Sequence, residues 1–560
     1  MKRHSRDNYY VLSEGILTYD RMNQPVCERP STEAALRKFR FSRMGLKGKT
    51  LNEGLRIAIA EAMTASGRHT DSADPAISAG YTYLGQFIDH DLSFDRTAMA
   101  LGANVSVEDL KHGRSPALDL DCLYGRGPSD PEDAKFYSDG MRLKMGRTAG
   151  TPVPDHRTNQ DRDGFDLPRV ALGSKKSDRR AALIPDHRND ENLAVGQTHL
   201  AFSRFHNRVV NTLTSRGTPS TDLFNAGRTL VIKHYQWMIR TDFLPRIVEK
   251  TIVDDVFAHG RQFFEVNPHQ PNKRIYSPYM CLQEGDTPTL PIEFAVAAYR
   301  FGHAMICAAY QWNRVFRTGG LGAATLPVLF NFSGTSGTLS PDGDLDHPES
   351  GSFERLPTNM IADFRRLYDF GEAGREDLRV PADAFNITKR IDTLLVDPLK
   401  DLPATAIGDL GAPPPPIQRN LAYRNFTRAG MVELATGQQM AAMMGITPLT
   451  ATEILEGNNG ADLTGLTQAQ KEALTTDTPL WFYLLREAEV RGGGRLTGVG
   501  GRIVAEVFHR ALEGSQVSIL REPTWRPSFG PPGDGNTCRM VDLLLFACEG
   551  QAELLNPLGD

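Results

Sequence analysis

Apolar residues in this chain recur mainly at intervals of three and four, the spacing of one helix face. "QTHLAFSRFHNRVVNTLTSR" (197–216), "TLVIKHYQWMIRTDFLPRIV" (229–248), "FAVAAYRFGHAMICAAYQW" (294–312) and "GRIVAEVFHRALEG" (501–514) each predict a long helix. "TLNEGLRIAIAEAM" (50–63) adds a start signal, since Thr50 followed by Glu53 predicts a capping box. Strict alternation is rare and short, and no internal repeat is visible. The pattern predicts a mainly α protein with few short strands. Residues 95 to 187 are rich in turn formers and predict long surface excursions. The prolines of "GAPPPP" (411–416) are confined to extended backbone, so this run reads as a stiff connector inside one domain. The weakly patterned first 45 residues are expected to form an arm on a single large domain spanning 46–560.

One segment breaks the apolar pattern in an ordered way. In "YTYLGQFIDHDLSFD" (81–95), Gln86 and His90 stand at i and i+4 with Asp89 beside them. Asp91 lies about 100° round the helix from His90. A surface helix fits poorly, because Tyr83, Leu84, Phe87, Ile88 and Leu92 leave little of the segment for water. Further polar clusters follow. "IPDHRNDENLAVGQTHLAFSRFHNRVV" (184–210) sets Arg188 and Glu191 just ahead of a helix, and "AAYRFGHAMICAAY" (297–310) places Arg300 and His303 on one helix face. Alone, His303 reads more readily as a packed core histidine than as a ligand, but Gly302 beside it suggests something bulky approaching the helix. "NLAYRNFTRAGM" (420–431) adds Asn425 and Arg428 at i and i+3.

Bulk properties narrow the function classes. The 560-residue chain carries 63 Lys and Arg against 68 Asp and Glu, a formal net charge of −5, which gives no support for binding nucleic acid or a polybasic membrane role. No apolar run approaches the roughly 20 residues of a membrane span. Six cysteines in so long a chain, with no C-x-x-C pair, suggest neither a disulfide framework nor a structural zinc site. The N-terminus has basic residues but no apolar core of a secretory signal, so a cytoplasmic protein with reduced thiols is the default expectation, with leaderless export left open. Several tempting features have plainer readings. His199 and His206 are two turns apart and read as structural. "DGDLDHPE" (342–349) starts like an EF-hand loop but has Phe353 where the bidentate acid belongs, so it reads as a solvated turn. "GRLTGVGGRIV" (494–504) reads as a helix-entry loop rather than a nucleotide site, and "MAAMM" (440–444) as core.

The clusters, taken in order, resemble the animal-type heme peroxidases of the peroxidase–cyclooxygenase superfamily, of the myeloperoxidase-like kind and in their bacterial branch. The distal helix motif of that family stands here as "GQFIDHD". The arginine segment stands as "DHRNDEN" followed by "FHNRVV", the proximal motif as "YRFGH", and the later Asn and Arg as "NFTR". The resemblance covers roughly residues 75 to 515 and implies a large helical heme peroxidase fold. It implies His90 as the base that moves the peroxide proton, Arg188 as a fixed donor toward developing charge, and Gln86 as a holder of peroxide or water. It further implies heme b with His303 as the iron ligand, Asn425 accepting the other ring N–H of His303, and Arg300 and Arg428 pairing with the propionates.

The same resemblance implies up to two ester links from the heme to Asp89 and Glu191. A third link, through a methionine after the glutamate, cannot form because Asn192 stands there. That puts chloride oxidation in doubt and favours iodide, bromide, thiocyanate or phenolic donors. A calcium loop matched on Tyr124 and Gly125 implies Ca2+ held by Ser115, the Ala117 carbonyl, Asp119 and Asp121, joined by Asp91. Ser115 for Thr and Asp121 for Ser depart from the family pattern but keep an oxygen at each place. The expected function is reduction of hydrogen peroxide with oxidation of a small donor. The alternatives are a fatty-acid dioxygenase of the same superfamily and a non-enzymatic heme-binding protein. Against the dioxygenase, Arg300 occupies the place three before the proximal histidine where those enzymes carry a tyrosine, with Tyr299 four before. The sequence leaves the physiological donor and the oligomeric state open.

Overall fold

The computed structural model describes residues 16–19, 25–28, 41–67, 76–97, 99–151, 156–266, 289–335, 354–402, 414–529 and 537–560, the first two stretches as backbone alone. The EF-hand-like 342–349, Phe353 and the start of the proline run lie outside these residues.

Helices dominate and the strands are short two-stranded pairs, as the periodicity predicted. One of these pairs positions the site. Phe41 and Ser42 run parallel to Leu290 and Pro291, immediately ahead of the proximal segment. Just beyond it, the amides of Met44 and Gly45 donate to the buried Glu293 carboxylate at 2.9 and 3.0 Å. A distant N-terminal segment is thus tied to the chain that leads into His303.

Helix α1 (Glu53–Met63) begins three residues later than its sequence signal. Asn52 caps it by accepting the Leu55 N–H at 2.8 Å, while the Thr50 hydroxyl donates to the Gly430 carbonyl at 3.2 Å. A tertiary partner therefore drew Thr50 away from the expected capping box. Helix α2 (Gly80–Leu92) is almost wholly buried. Its Phe87 stacks on Phe202 at 4.7 Å, an aromatic burial whose truncation costs about 3–5 kcal/mol in comparable cores. Gly80 is required there, because a Cβ would sit 2.2 Å from the Tyr368 ring.

Helix α3 (Leu193–Ser215) packs on α2 and on α4 (Leu223–Met238). The α4 helix continues through a π turn, Ile239–Phe243, into Leu244–Ile247, so the predicted 229–248 helix holds. The predicted 294–312 helix does not. It divides into a π turn (Glu293–Ala297), a 3-10 turn (Ala298–Phe301) and one α turn, α5 (Gly302–Met305), before the chain extends into a strand at Ala309. Apolar periodicity cannot distinguish these helix types, and such irregular turns often occur at functional sites. Helices α6 (Leu421–Met431), α7 (Leu480–Val490) and α8 (Gly498–Gly514) close around this broken segment. The α8 entry is the glycine loop read above, and its first amides, Val499 and Gly500, are taken by the buried Glu487 carboxylate. Met440 and Met444 are buried, as expected of core. One apolar cluster draws on residues from Phe41 to Leu555, with a small satellite around Leu167 and Leu200.

Candidate active site

Between α2 and the broken proximal segment lies a cavity of about 510 Å³. Gln86, Asp89, His90, Arg188, Glu191, Arg300, His303, Asn425 and Arg428 all line it. These residues come from four separated parts of the chain. Gly302 faces the same space, where a Cβ built on it would meet no atom within 4 Å.

On the α2 side, His90 is buried and its Nδ1 lies 2.8 Å from Asn189 Oδ1. An oxygen at that distance accepts, so Nδ1 carries the proton and Nε2 keeps its lone pair. Nε2 lies 3.5 Å from Glu191 Oε1. Gln86 is fixed at both ends, donating to Glu191 and accepting from Asn192 Nδ2 at 3.0 Å. The other end of the Asn189 amide meets His199 Nδ1 at 3.1 Å, so His199 belongs to the distal network. Burial lowers the pKa of His199 to about 3 and keeps it neutral. His206, by contrast, is structural, held between the Tyr124 hydroxyl and the Met141 carbonyl.

Arg188 is more committed than a free donor. Its Nε and Nη2 engage Asp186 at 3.1 and 2.7 Å, and its other donors reach the Ser93 and His90 carbonyls at 2.7 and 2.9 Å. Arg114, fully buried, also donates to Asp186 and to the His90 carbonyl. Burial alone would raise the Asp186 carboxyl, but Arg188 and Arg114 hold it well below the usual carboxylate range. The backbone of the distal histidine is thereby clamped by two guanidinium groups sharing one carboxylate.

On the opposite wall, His303 Nδ1 lies 3.1 Å from Asn425 Nδ2. The sequence expectation had Asn425 accepting from His303, and the structure reverses it. Arg300 donates to Asn425 Oδ1, and since a guanidinium has only donors it claims the amide oxygen, leaving the amide N–H groups for the histidine. Burial, with Arg300 nearby, lowers the His303 pKa to about 3, so the ring is neutral, and with Nδ1 accepting from Asn425 its one proton sits on Nε2. Burial also lowers Arg300 to about 10, aided by Arg428. Arg428 itself pairs with Asp95.

The residues expected to bind calcium also gather, behind α2. Asp91, Asp119 and Asp121 are buried, and the Ser115 hydroxyl lies 3.0 Å from Asp119 and 2.7 Å from Asp121. Asp91 Oδ2 accepts from the Leu120 amide and the Tyr235 hydroxyl at 3.2 and 3.1 Å. Oδ1 of Asp91 and Oδ1 of Asp119 are buried without a hydrogen-bond partner among the described residues. Burial, reinforced by the neighbouring carboxylates, raises Asp119 and moves Asp91 up to about 7; burial also moves Asp121 up to about 6. Among the described residues no three His, Cys, Asp or Glu side chains already surround one point. The fit to a cation therefore rests on the unpartnered oxygens and the mutual repulsion. Leu120, in the left-handed region at φ 59°, shapes this loop.

Asn189, Asp186, Arg114 and Arg424 belong to the site but were not singled out from sequence. Asp186 and Asn189 stand inside the quoted "DHRNDEN", and Arg424 precedes Asn425 directly. Arg114 carries no local signal. Cys122, Cys538 and Cys548 are buried free thiols, and no described helix is long and apolar enough to cross a membrane.

The chain is similar to known proteins in part of its sequence and in its fold. Residues 107–318 match the family model "Animal haem peroxidase". The chain is 30% identical over 262 residues to a peroxidase-like protein of Margaritifera margaritifera, covering 40% of this chain and 31% of that one. It thus spans about a third of that relative's length. Among solved structures, peroxidase A from Dictyostelium discoideum shares the fold with a TM-score of 0.53 at 13% identity, over 99% of this chain and 98% of that one. A fatty acid alpha-dioxygenase of Arabidopsis thaliana does so at 0.52 and 12% identity, over 97% and 84%. Residues 107–318 are thus similar to an animal haem peroxidase domain, and the chain as a whole shares the helical fold of these two enzymes.

Proposed function

We propose that this protein is a heme peroxidase, reducing hydrogen peroxide while oxidising a small donor such as iodide, bromide, thiocyanate or a phenol. The observation that carries the reading is the pair of buried histidines, His90 and His303, lining one cavity from opposing elements. The similarity of residues 107–318 to the animal haem peroxidase family supports heme as the cofactor. The residues present fit that group. His303 is neutral with its Nε2 unengaged by the described residues, the Nδ1 of His90 is held by Asn189, and Gly302 faces open space.

Bound heme would supply an iron that accepts peroxide oxygen and the redox capacity for O–O cleavage. His303 Nε2 would hold the iron once its proton has moved to Nδ1 and the Asn425 amide has turned to accept that N–H. His90 Nε2 would take the proton from one peroxide oxygen and return it to the departing one, its Nδ1 proton held by Asn189. Arg188 and Arg114, through Asp186 and the His90 carbonyl, keep that imidazole in place. Gln86, held by Glu191 and Asn192, presents its amide to the same space. Asp89 and Glu191 line the cavity and would form the ester links. Asp91, Asp119, Asp121, Ser115 and the Ala117 carbonyl would hold Ca2+ on the far face of α2. The free thiols fit a reducing, cytoplasmic compartment.

A fatty-acid dioxygenase is the second reading, favoured by the shared fold and by Tyr299. Its ring lines the cavity and its hydroxyl donates to the Gly85 carbonyl at 3.1 Å. Two assays on the heme-loaded protein separate the readings: guaiacol turnover with peroxide, and oxygen uptake with linoleate. Turnover without uptake supports the peroxidase, and the reverse overturns it.

The cavity itself can be tested by filling it. Gly302→Leu is expected to leave the melting temperature of the heme-free protein within a few degrees, since the new side chain meets open space and helix propensity improves by under about 1 kcal/mol. Heme uptake, followed by the Soret band on titration, is expected to fall at least tenfold. Undiminished uptake would show that the cavity is not the cofactor site.

A further inference from the structure

Behind His90 stands a second histidine that does not line the cavity. His199, on α3, is buried, and between the two rings lies Asn189, wholly buried in the 3-10 turn His187–Asp190. Asn189 Oδ1 is 2.8 Å from His90 Nδ1, and Asn189 Nδ2 is 3.1 Å from His199 Nδ1. One amide thus bridges two imidazoles through the same ring nitrogen of each. An amide oxygen only accepts, its nitrogen only donates, and a neutral imidazole has one donor and one acceptor. The two ring states are therefore tied together. While His199 Nδ1 accepts, the amide points its oxygen at His90, and the His90 proton sits on Nδ1. Turning the amide over would reverse both rings and put the His90 proton on Nε2.

The other neighbours of His90 do not favour the observed state. Glu191 Oε1, 3.5 Å from Nε2, is an acceptor that would draw the proton to that side. The Cys122 thiol also bonds to the Asn189 amide, but sulfur is weak both as donor and as acceptor and favours neither direction strongly. His199 is the remaining partner. Its ring packs edge to face on Phe87 at 6.1 Å, which fixes the nitrogen that meets the amide, and burial keeps it neutral and able to accept. We propose that His199 is a positioning residue for the distal base: acting through Asn189, it holds the His90 proton on Nδ1 and leaves Nε2 with the lone pair. The proposal rests on the reading of His90 as that base and names the group that sets it.

The test reads the tautomer directly, from imidazole nitrogen NMR shifts of the heme-free, full-length protein isotope-labelled at histidine. Signals of His90 are assigned by their loss in His90→Ala. Wild type is expected to show His90 protonated at Nδ1 and bare at Nε2. His199→Leu, which removes the acceptor, is expected to raise the ratio of Nε2–H to Nδ1–H about fivefold, the size of one lost hydrogen bond. His199→Asn puts an oxygen near the former Nδ1 and is expected to recover part of the wild-type ratio. Melting curves identify a variant that fails to fold; Asn189→Leu, which cuts the bridge and leaves His199 in place, is expected to give the same shift. An unchanged tautomer in the folded variants, or a wild type with its proton on Nε2, overturns the proposal. Peroxide cleavage by the heme-loaded variants tests the other reading. A ring moved mostly to Nε2–H with an unaltered rate would leave the bridge standing and remove His90 as the base.

Discussion

His90→Ala is expected to slow peroxide cleavage by the heme-loaded protein about 10²–10⁴-fold, the usual contribution of a positioned general base. The expectation follows from how completely the ring is set. Asn189 accepts the Nδ1 proton at 2.8 Å, which assigns the lone pair to Nε2 on the cavity side. Arg114 and Arg188 both donate to the His90 carbonyl, so the backbone that carries the ring is fixed from behind. No other described histidine lines the cavity except His303. The measurement is rapid mixing with one equivalent of peroxide, following the Soret band. A variant rate within threefold of wild type would show that the proton is moved by some other group. Hemin uptake measured in parallel keeps a lost cofactor from being mistaken for lost chemistry.

Calcium is expected to stabilise the protein strongly at pH 7.5 and several kcal/mol less at pH 5.5. In the metal-free protein, burial raises the carboxyls of Asp91 to about 7 and Asp121 to about 6 and raises Asp119 as well, with neighbouring carboxylates adding to the effect at Asp91 and Asp119. A group whose folded pKa lies above its unfolded value binds the extra proton in the folded state. Its stabilising effect is present at low pH and is lost as pH rises through the folded value. The metal-free protein therefore loses stability from this cluster as pH rises from about 4, the unfolded value, to about 7. Calcium replaces those protons, so its stabilising effect grows over the same window and shrinks as acid competes for the oxygens. The buried neutral histidines, such as His199 and His234, oppose this trend but occur in both states and cancel in the difference. Melting curves with and without saturating Ca2+ at pH 7.5, 6.5 and 5.5 supply the difference directly. A calcium effect that is absent, or flat with pH, would remove the cation from this cluster. Asp119→Asn, which keeps the shape but removes one charge, is expected to reduce the effect at pH 7.5.

Much of the site was legible in the chain because its elements are local. The α2 register places Gln86, Asp89 and His90 on one side and Asp91 on the other, and that division survives as a cavity face and a carboxylate face. The four short motifs named the nine residues that the fold brings to one cavity. What was not legible depends on partners far apart in sequence. Thr50 lost its cap to Gly430, 380 residues away. The Asn425 amide took its direction from Arg300, 125 residues away, and Arg428 found Asp95 at a separation of 333. Arg114 had no motif to mark it, and only packing put it on the carboxylate that Arg188 shares. The proximal segment read as one long helix, yet it alternates π, 3-10 and α turns, because apolar spacing reports which face is buried and not how tightly the backbone is wound. Sequence by itself marked nine of the side chains that line the cavity and the helix faces that carry them. The tertiary structure alone decided which donor meets which acceptor, because hydrogen bonds and ion pairs are settled at ångström distances between segments that the chain places hundreds of residues apart.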